Sequence, residues 1–272
     1  MAITLKSARE IALMRQAGAI VAETLELLRR EAVPGGTTQR LDRMASEFIV
    51  ERGGIPSFLG YEDFPASICT SLNAQVIHGI PGPTRLQNGD LLKVDVGVWQ
   101  HGYHADEAAT FAIGEVTDEA RALIDAVEAA FQAGLGQARA GRRIGDIGAA
   151  IQAEAERRGF SVIEDFGGHG VGQELHEEPD IPNTGEPGTG LVLRRGMTLA
   201  IEPMIAIGDG KVDILDDYWT VVTLDGGLSA HYEHTVAISD GEPELLTVPA
   251  APMVGLSVVA RGPRLGRAPP LA

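Results

Sequence analysis

The 272-residue chain reads as an α/β fold made of two structurally related halves. Three observations predict it. Residues 91–111 alternate apolar and polar side chains and turn back on themselves as a hairpin, and pairs of amphipathic helices precede and follow that hairpin. Short matches also recur: Arg52-Gly53 with Arg158-Gly159, His78-x-x-Pro81 with His176-x-x-Pro179, and Asp95 in its apolar strand with Glu202 in MTLAIEPMIAI. The offsets are all roughly 100 residues, as expected of a repeated structural unit. Two such sheets would meet edge to edge with the acids between them.

The hairpin LLKVDVGVWQHGYHADEAATF carries the chemistry. Leu92, Val94, Val96 and Val98 alternate with Lys93, Asp95 and Gly97, the period of two that marks a half-buried strand. A turn near Gln100, His101 and Gly102 would set Asp95 opposite Asp106 on one face, with Cβ atoms roughly 5 Å apart. Only Lys93 lies near enough in the strand to partner Asp95. Two carboxylates that close in an apolar strand must share a proton or bind cations, so an acid–base dyad and a metal site both fit.

The remaining elements follow in order. Ser7 and Glu10 form a capping box for a helix through Ile11, Met14, Val21, Leu25 and Leu28 that should end near Pro34-Gly35-Gly36. Thr37 or Thr38 caps a second helix through Leu41, Met44, Phe48 and Ile49, closed by Gly53-Gly54. Residues 55–90 read as short strands and turns around the apolar strand ASICTSL. Thr117 caps a third helix, with Asp118 and Glu119 in its first turn, and a fourth runs from about Ile144 to Arg158. Strands and loops return after it. The catalytic domain is expected over residues 1–247, and the Pro-, Gly- and Arg-rich residues 248–272 as a flexible tail whose apolar run Met253 to Ala260 could dock on the body.

Composition narrows the function classes. No apolar run approaches the roughly 20 residues of a membrane span, and the N-terminus resembles neither a signal nor a transit peptide, so a cytoplasmic location is expected. The single cysteine, Cys69, excludes an internal disulfide framework and a Cys-type zinc site. A net charge of −16 argues against non-specific nucleic-acid binding.

Three further segments supply candidate ligands. His169 sits among glycines in DFGGHGVGQELHEEP, which also holds His176; Glu202 breaks an apolar strand before Pro203; Glu233 opens another apolar strand in LSAHYEHTVAI. Asp95, Asp106, His169, Glu202 and Glu233 together are too negative to sit uncompensated. Four carboxylates and one imidazole suit two divalent ions, Mn, Fe(II), Co, Zn or Ni, which would neutralise the acids and serve hydrolysis.

In these motifs, NAQVIHGIP, KVDVGVWQHGYHAD, GHGVGQELHEEP, IEPM and YEHT, the chain resembles type I methionine aminopeptidases over about residues 3–247. The resemblance implies a pita-bread fold, with two pseudo-two-fold halves and a central antiparallel sheet covered by helices. It implies that Asp95 chelates one metal, that His169 and Glu202 bind the other, and that Asp106 and Glu233 bridge them. His78 and His176 would contact the scissile peptide and the tetrahedral intermediate, and Glu202 would help deprotonate the attacking water. A methionine pocket would be lined by Tyr61, Phe64, Cys69, His78, Leu175, His176 and Trp219, with Phe58 and Leu175 standing where well-known bacterial members carry cysteine and phenylalanine. A Na or K ion would rest on the backbone carbonyls of Asn73, Gln75 and Ser229. The implied task is removal of the initiator methionine from nascent polypeptides when the second residue is small, by a monomer that meets the ribosome transiently and binds neither membrane nor specific nucleic acid. An aminopeptidase P or prolidase, and a metal-free pita-bread binding module, are the alternative readings.

Overall fold

The structure, a computed structural model, describes residues 3–250. Its first helix, α1 (Ala8–Glu31), starts from the expected box: the Ser7 hydroxyl accepts the Glu10 N–H, and the Glu10 carboxylate accepts the Ser7 N–H at 2.7 Å. Thr37 caps α2 (Thr38–Glu51), which Gly53 ends in the left-handed region at φ +79°. Both helices lie on one face of a sheet formed by β1 (Ile68–Leu72), β2 (Leu91–Gln100) and β3 (Tyr103–Ala112). Val21, Leu25, Leu28, Leu41 and Ile49 bury against Leu92, Val94, Val96 and Val98, which are wholly enclosed. Alternation therefore turns Lys93, Asp95 and Gly97 to the opposite face.

The hairpin register differs from expectation by two residues. Gln100 pairs with Tyr103 across a two-residue loop, His101 and Gly102, both at positive φ, the conformation that matches strand twist. Asp95 thus lies opposite Ala108, and Asp106 opposite Gly97. A slip of two keeps the face, so the two acids remain together but as diagonal neighbours, roughly 7–8 Å apart along the sheet rather than 5 Å. That spacing leaves room between them for an ion.

The second half repeats the plan. Thr117 caps α3 (Asp118–Leu135), accepting the Ala120 N–H; α4 (Ile144–Arg157) begins where Asp146 accepts the Arg143 N–H. Arg52 and Arg158 close α2 and α4 with nearly identical backbone angles, each followed by a positive-φ glycine. The helices cover strands β4 (Gly167–Gly170), β5 (Glu177–Pro182), β6 (Thr198–Ile201), β7 (Met204–Ala206), β8 (Ser229–His231) and β9 (His234–Ala237). Leu123, Val127, Phe131, Ile147 and Ile151 pack on Leu199, Ile201, Ile205 and Val236.

The halves meet along β3. Glu233 N–H donates to the Ala108 carbonyl at 2.8 Å, the Thr110 hydroxyl to the His231 carbonyl at 2.9 Å, and the Thr235 hydroxyl to Asp106 Oδ1 at 2.9 Å. The body runs through the buried Leu246 and Thr247. The expected flexible tail and the docking of Met253 to Ala260 fall outside the described residues, apart from residues 248–250.

Candidate metal centre

Glu202 and Glu233 owe their position to a shared interruption. Pairing of β7 with β8 sets Met204 opposite His231, and pairing of β6 with β9 sets Ile201 opposite His234, in one continuous register. Both ladders stop at the residues between. Pro203 lacks the N–H a ladder needs, so Glu202 and Glu233 face each other in the gap. Across from them, β3 brings Asp106 and β2 brings Asp95 on their shared face. β4 brings His169.

The five expected ligand residues line one cavity of about 380 Å³. His169 Nε2 lies 3.5 Å from Asp106 Oδ2 and 3.7 Å from Glu202 Oε1. Its Nδ1 is 2.8 Å from the Gly170 carbonyl, an acceptor that fixes the proton on Nδ1 and leaves the Nε2 lone pair aimed at the carboxylates. Ligand atoms of Asp106, His169 and Glu233 lie within 4.8 Å of one another, as do those of Glu202, His231 and Glu233. Asp95 joins neither trio, but its Oδ1 is buried in the cavity without a hydrogen-bond partner. Lys93 does not serve Asp95: its amino group reaches the Asn73 and Ser229 carbonyls instead.

Electrostatics point the same way. Burial pushes all four carboxyls above the usual range, and neighbouring acids add to the shift for Asp95, Glu202 and Glu233. Glu202 is pushed up to about 8, chiefly by burial, with His169 opposing and Asp106 reinforcing. A cluster of this kind holds protons when no cation is bound and exchanges them for cations when one is. Orphaned oxygen, an aimed imidazole and four crowded acids fit the divalent ions their chemistry implies.

Beside the acids stand two imidazoles in their neutral form. Burial holds His78 down to about 4 and His176 down to about 3, the latter also by the nearby His169 ring. The His78 backbone sits at φ +58°, outside the usual range, and is held by Gly79: its N–H donates to the Ser71 hydroxyl and its carbonyl accepts the Thr70 N–H. A Cβ on Gly79 would meet the Thr70 carbonyl at 2.2 Å. His176 Nδ1 lies 2.7 Å from the Tyr61 hydroxyl.

The far end of the cavity is apolar. Phe64 packs edge-on to Trp219 at 5.0 Å, Trp219 edge-on to His78 at 6.2 Å, and Cys69 and Leu175 are buried alongside. Tyr61, His176 and Phe58 also line it, with the exposed Glu62 beside them, so the whole expected pocket is brought together. Burial raises the Cys69 thiol well above its ordinary pKa, which makes it an inert wall rather than a nucleophile.

Two residues of this neighbourhood were not expected as site residues. His231, fully buried with neither ring nitrogen hydrogen-bonded, faces Glu202 Oε2 from 3.3 Å. Its signal lay in the sequence: in SAHYEHT it precedes Glu233 by two and shares its face. Lys93 is the other. The expected monovalent cation does not fit the structure, because the Lys93 amino group donates to the Asn73 carbonyl at 2.6 Å and to the Ser229 carbonyl at 3.2 Å. The Ser229 hydroxyl further occupies the Asn73 and Gln75 carbonyls.

The chain is similar to known proteins along nearly its whole length. It is 52% identical to the methionine aminopeptidase of Clostridium perfringens, covering 90% of this chain and 99% of that one, and 46% identical to methionine aminopeptidase 1 of Bacillus subtilis with the same coverage. The crystal structure of methionine aminopeptidase from Rickettsia prowazekii superposes with a TM-score of 0.90 at 39% identity, over 91% of this chain and 100% of that one. Among the described residues no helix is long and apolar enough to cross a membrane. Residues 12–240 match metallopeptidase family M24, and the chain belongs to that family, on the pita-bread fold its solved relatives share.

Proposed function

We propose that this chain is a type I methionine aminopeptidase, a metal-dependent hydrolase that removes the initiator methionine when the next residue is small. The observation that carries the reading is one cavity with two unlike ends: four crowded carboxylates and His169 at one, Phe64, Cys69, Leu175 and Trp219 at the other. An unbranched thioether suits that apolar end, and a scissile peptide would then lie over the acids.

Asp95 would hold one divalent ion, His169 and Glu202 a second, with Asp106 and Glu233 shared between them. Such ions, whether Mn, Fe(II), Co, Zn or Ni, would supply Lewis acidity and a lowered pKa for the attacking water. The protein's own groups do the rest. With the Tyr61 hydroxyl donating to Nδ1, neutral His176 keeps its proton on Nε2 and offers it to the developing oxyanion. His78, also neutral, contacts the substrate amide. Glu202, largely buried at the acidic end of the cavity, would accept the proton that the attacking water gives up.

Its substrates are the N-termini of nascent polypeptides in the cytoplasm, met by a monomer during transient contact with the ribosome. The test is metal-free protein reconstituted with single divalent metals and assayed on Met-Ala-x and Met-Leu-x peptides. Release of methionine from the first series alone is expected. Comparable kcat/KM on x-Pro peptides would replace this reading with the prolidase-like one, and no hydrolysis with any metal would leave a binding module.

A further inference from the structure

Lys93 is 2% exposed, in a strand where every flanking apolar residue faces the helices. Its amino group touches two backbone carbonyls from opposite halves of the molecule: Asn73, just past β1, and Ser229, the first residue of β8. The same junction is tied by the Ser229 N–H and hydroxyl, both directed at the Asn73 carbonyl at 3.2 Å. Asn73 is itself fixed at φ +52° by bonds to Asp90 and Leu91. Converging carbonyls of this kind form a cage for a cation. A buried amino group needs such acceptors, because leaving its donors unpaired would cost several kcal/mol.

We infer that the Lys93 amino group replaces a monovalent cation at this junction, as a permanently attached pin between the halves that frees the protein from any need for Na or K. The pin does not depend on titration. Burial lowers the Lys93 pKa and Asp90 opposes it, yet even the uncharged amine keeps two N–H donors for two carbonyls. Through Ser229 it fixes β8, and β8 leads through His231 to Glu233; through β2 it is two residues from Asp95. Lys93 is thus a positioning residue for the acids on both sides of the seam.

Thermal stability of the metal-free protein tests this independently of any peptidase activity. Tm is measured at constant ionic strength in sodium, potassium and tetramethylammonium chloride, the last too large for the cage. The wild-type protein should melt at one temperature in all three, and sodium-23 relaxation should show no saturable binding. Lys93→Ala should melt several degrees lower in tetramethylammonium and regain most of that loss in sodium or potassium, which can enter the emptied cage. A wild-type Tm that rises with sodium or potassium, or saturable sodium binding to the wild type, would overturn the inference even if the variant fails to fold. So would a folded Lys93→Ala protein that neither ion restores.

Discussion

His231 Nε2 stands 3.3 Å from Glu202 Oε2, while His169 Nε2 stands 3.7 Å from Glu202 Oε1, so each oxygen of one carboxylate faces a different imidazole. Burial holds His231 down to about 3, assisted by the positive charge of Lys93, so its ring is neutral and free to support an anion's ligand set without adding charge. Removing it should loosen Glu202. His231→Ala is expected to lower metal affinity by roughly 10–100-fold, the usual effect of losing a group that orients a ligand. Calorimetric metal titration of the variant checks this, and an unchanged affinity would reduce His231 to core packing.

Asp106 is enclosed, at 3% exposure, between Thr235 and His169. If it is shared between two ions, Asp106→Ala removes a charge that both need. Activity should vanish and bound metal should fall in elemental analysis. Retained hydrolysis would sink the two-ion arrangement.

His176 should behave differently. Its Nδ1 is hydrogen-bonded to the Tyr61 hydroxyl on one side, and the ring reaches the cavity on the other. His176→Ala should lower kcat by about 10²–10³ with metal content unchanged, the measured scale for one oxyanion donor. Tyr61→Phe should cost less, since it frees the tautomer without deleting the ring. Metal depletion in His176→Ala would make this residue a ligand instead.

Proton release offers a check on the acids as a group. Glu202 has its folded pKa raised to about 8 from an ordinary 4.5, so the metal-free protein binds a proton there that the unfolded chain does not. That contribution to stability is complete below about pH 4.5 and is lost as pH rises through about 8. Between pH 6.5 and 8, metal-free protein should therefore lose Tm, and Glu202→Gln should flatten the slope. Metal binding at pH 7 should release at least one proton, read by calorimetry in buffers of differing ionisation enthalpy.

Much of this site was legible because it obeys a short period. Alternation alone put Asp95 on the face away from Leu92, Val94 and Val96, and the capping residues Ser7, Thr37 and Thr117 each stand where a helix begins. What escaped depends on long-range or special backbone geometry. The hairpin register turned on His101 accepting a positive φ, which a non-glycine residue seldom does. The confrontation of Glu202 with Glu233 depends on two ladders stopping together, which neither strand encodes by itself. Lys93 looked like a partner for Asp95 because the two are near in sequence, yet a four-carbon side chain can cross a seam that alternation does not describe.

The apolar end of the cavity sets the last expectation. Phe64 and Trp219 meet edge to face at 5.0 Å, and Leu175 and Cys69 close the slot, leaving an apolar space whose lining elsewhere includes the carboxylates of Glu62 and Asp95. An unbranched thioether can bend into such a slot, β-branched side chains cannot reach its depth, and an anionic one would be buried unpaired beside other carboxylates. Trp219→Ala widens the slot at the side shared with His78, so it should lower kcat/KM for Met-Ala-x peptides about tenfold or more, by the 1–3 kcal/mol that such apolar contacts discriminate, while narrowing the preference over Leu-Ala-x. Cys69→Ser should leave peptide hydrolysis in place, because its buried hydroxyl would lie beside Asp95, its cross-strand neighbour, where a neutral donor has an acceptor in reach. Steady-state kinetics on Met-Ala-x, Leu-Ala-x and Val-Ala-x with both variants decide it. Equal kcat/KM for the methionine and valine series in the wild-type protein would remove the pocket assignment and leave the metal centre standing.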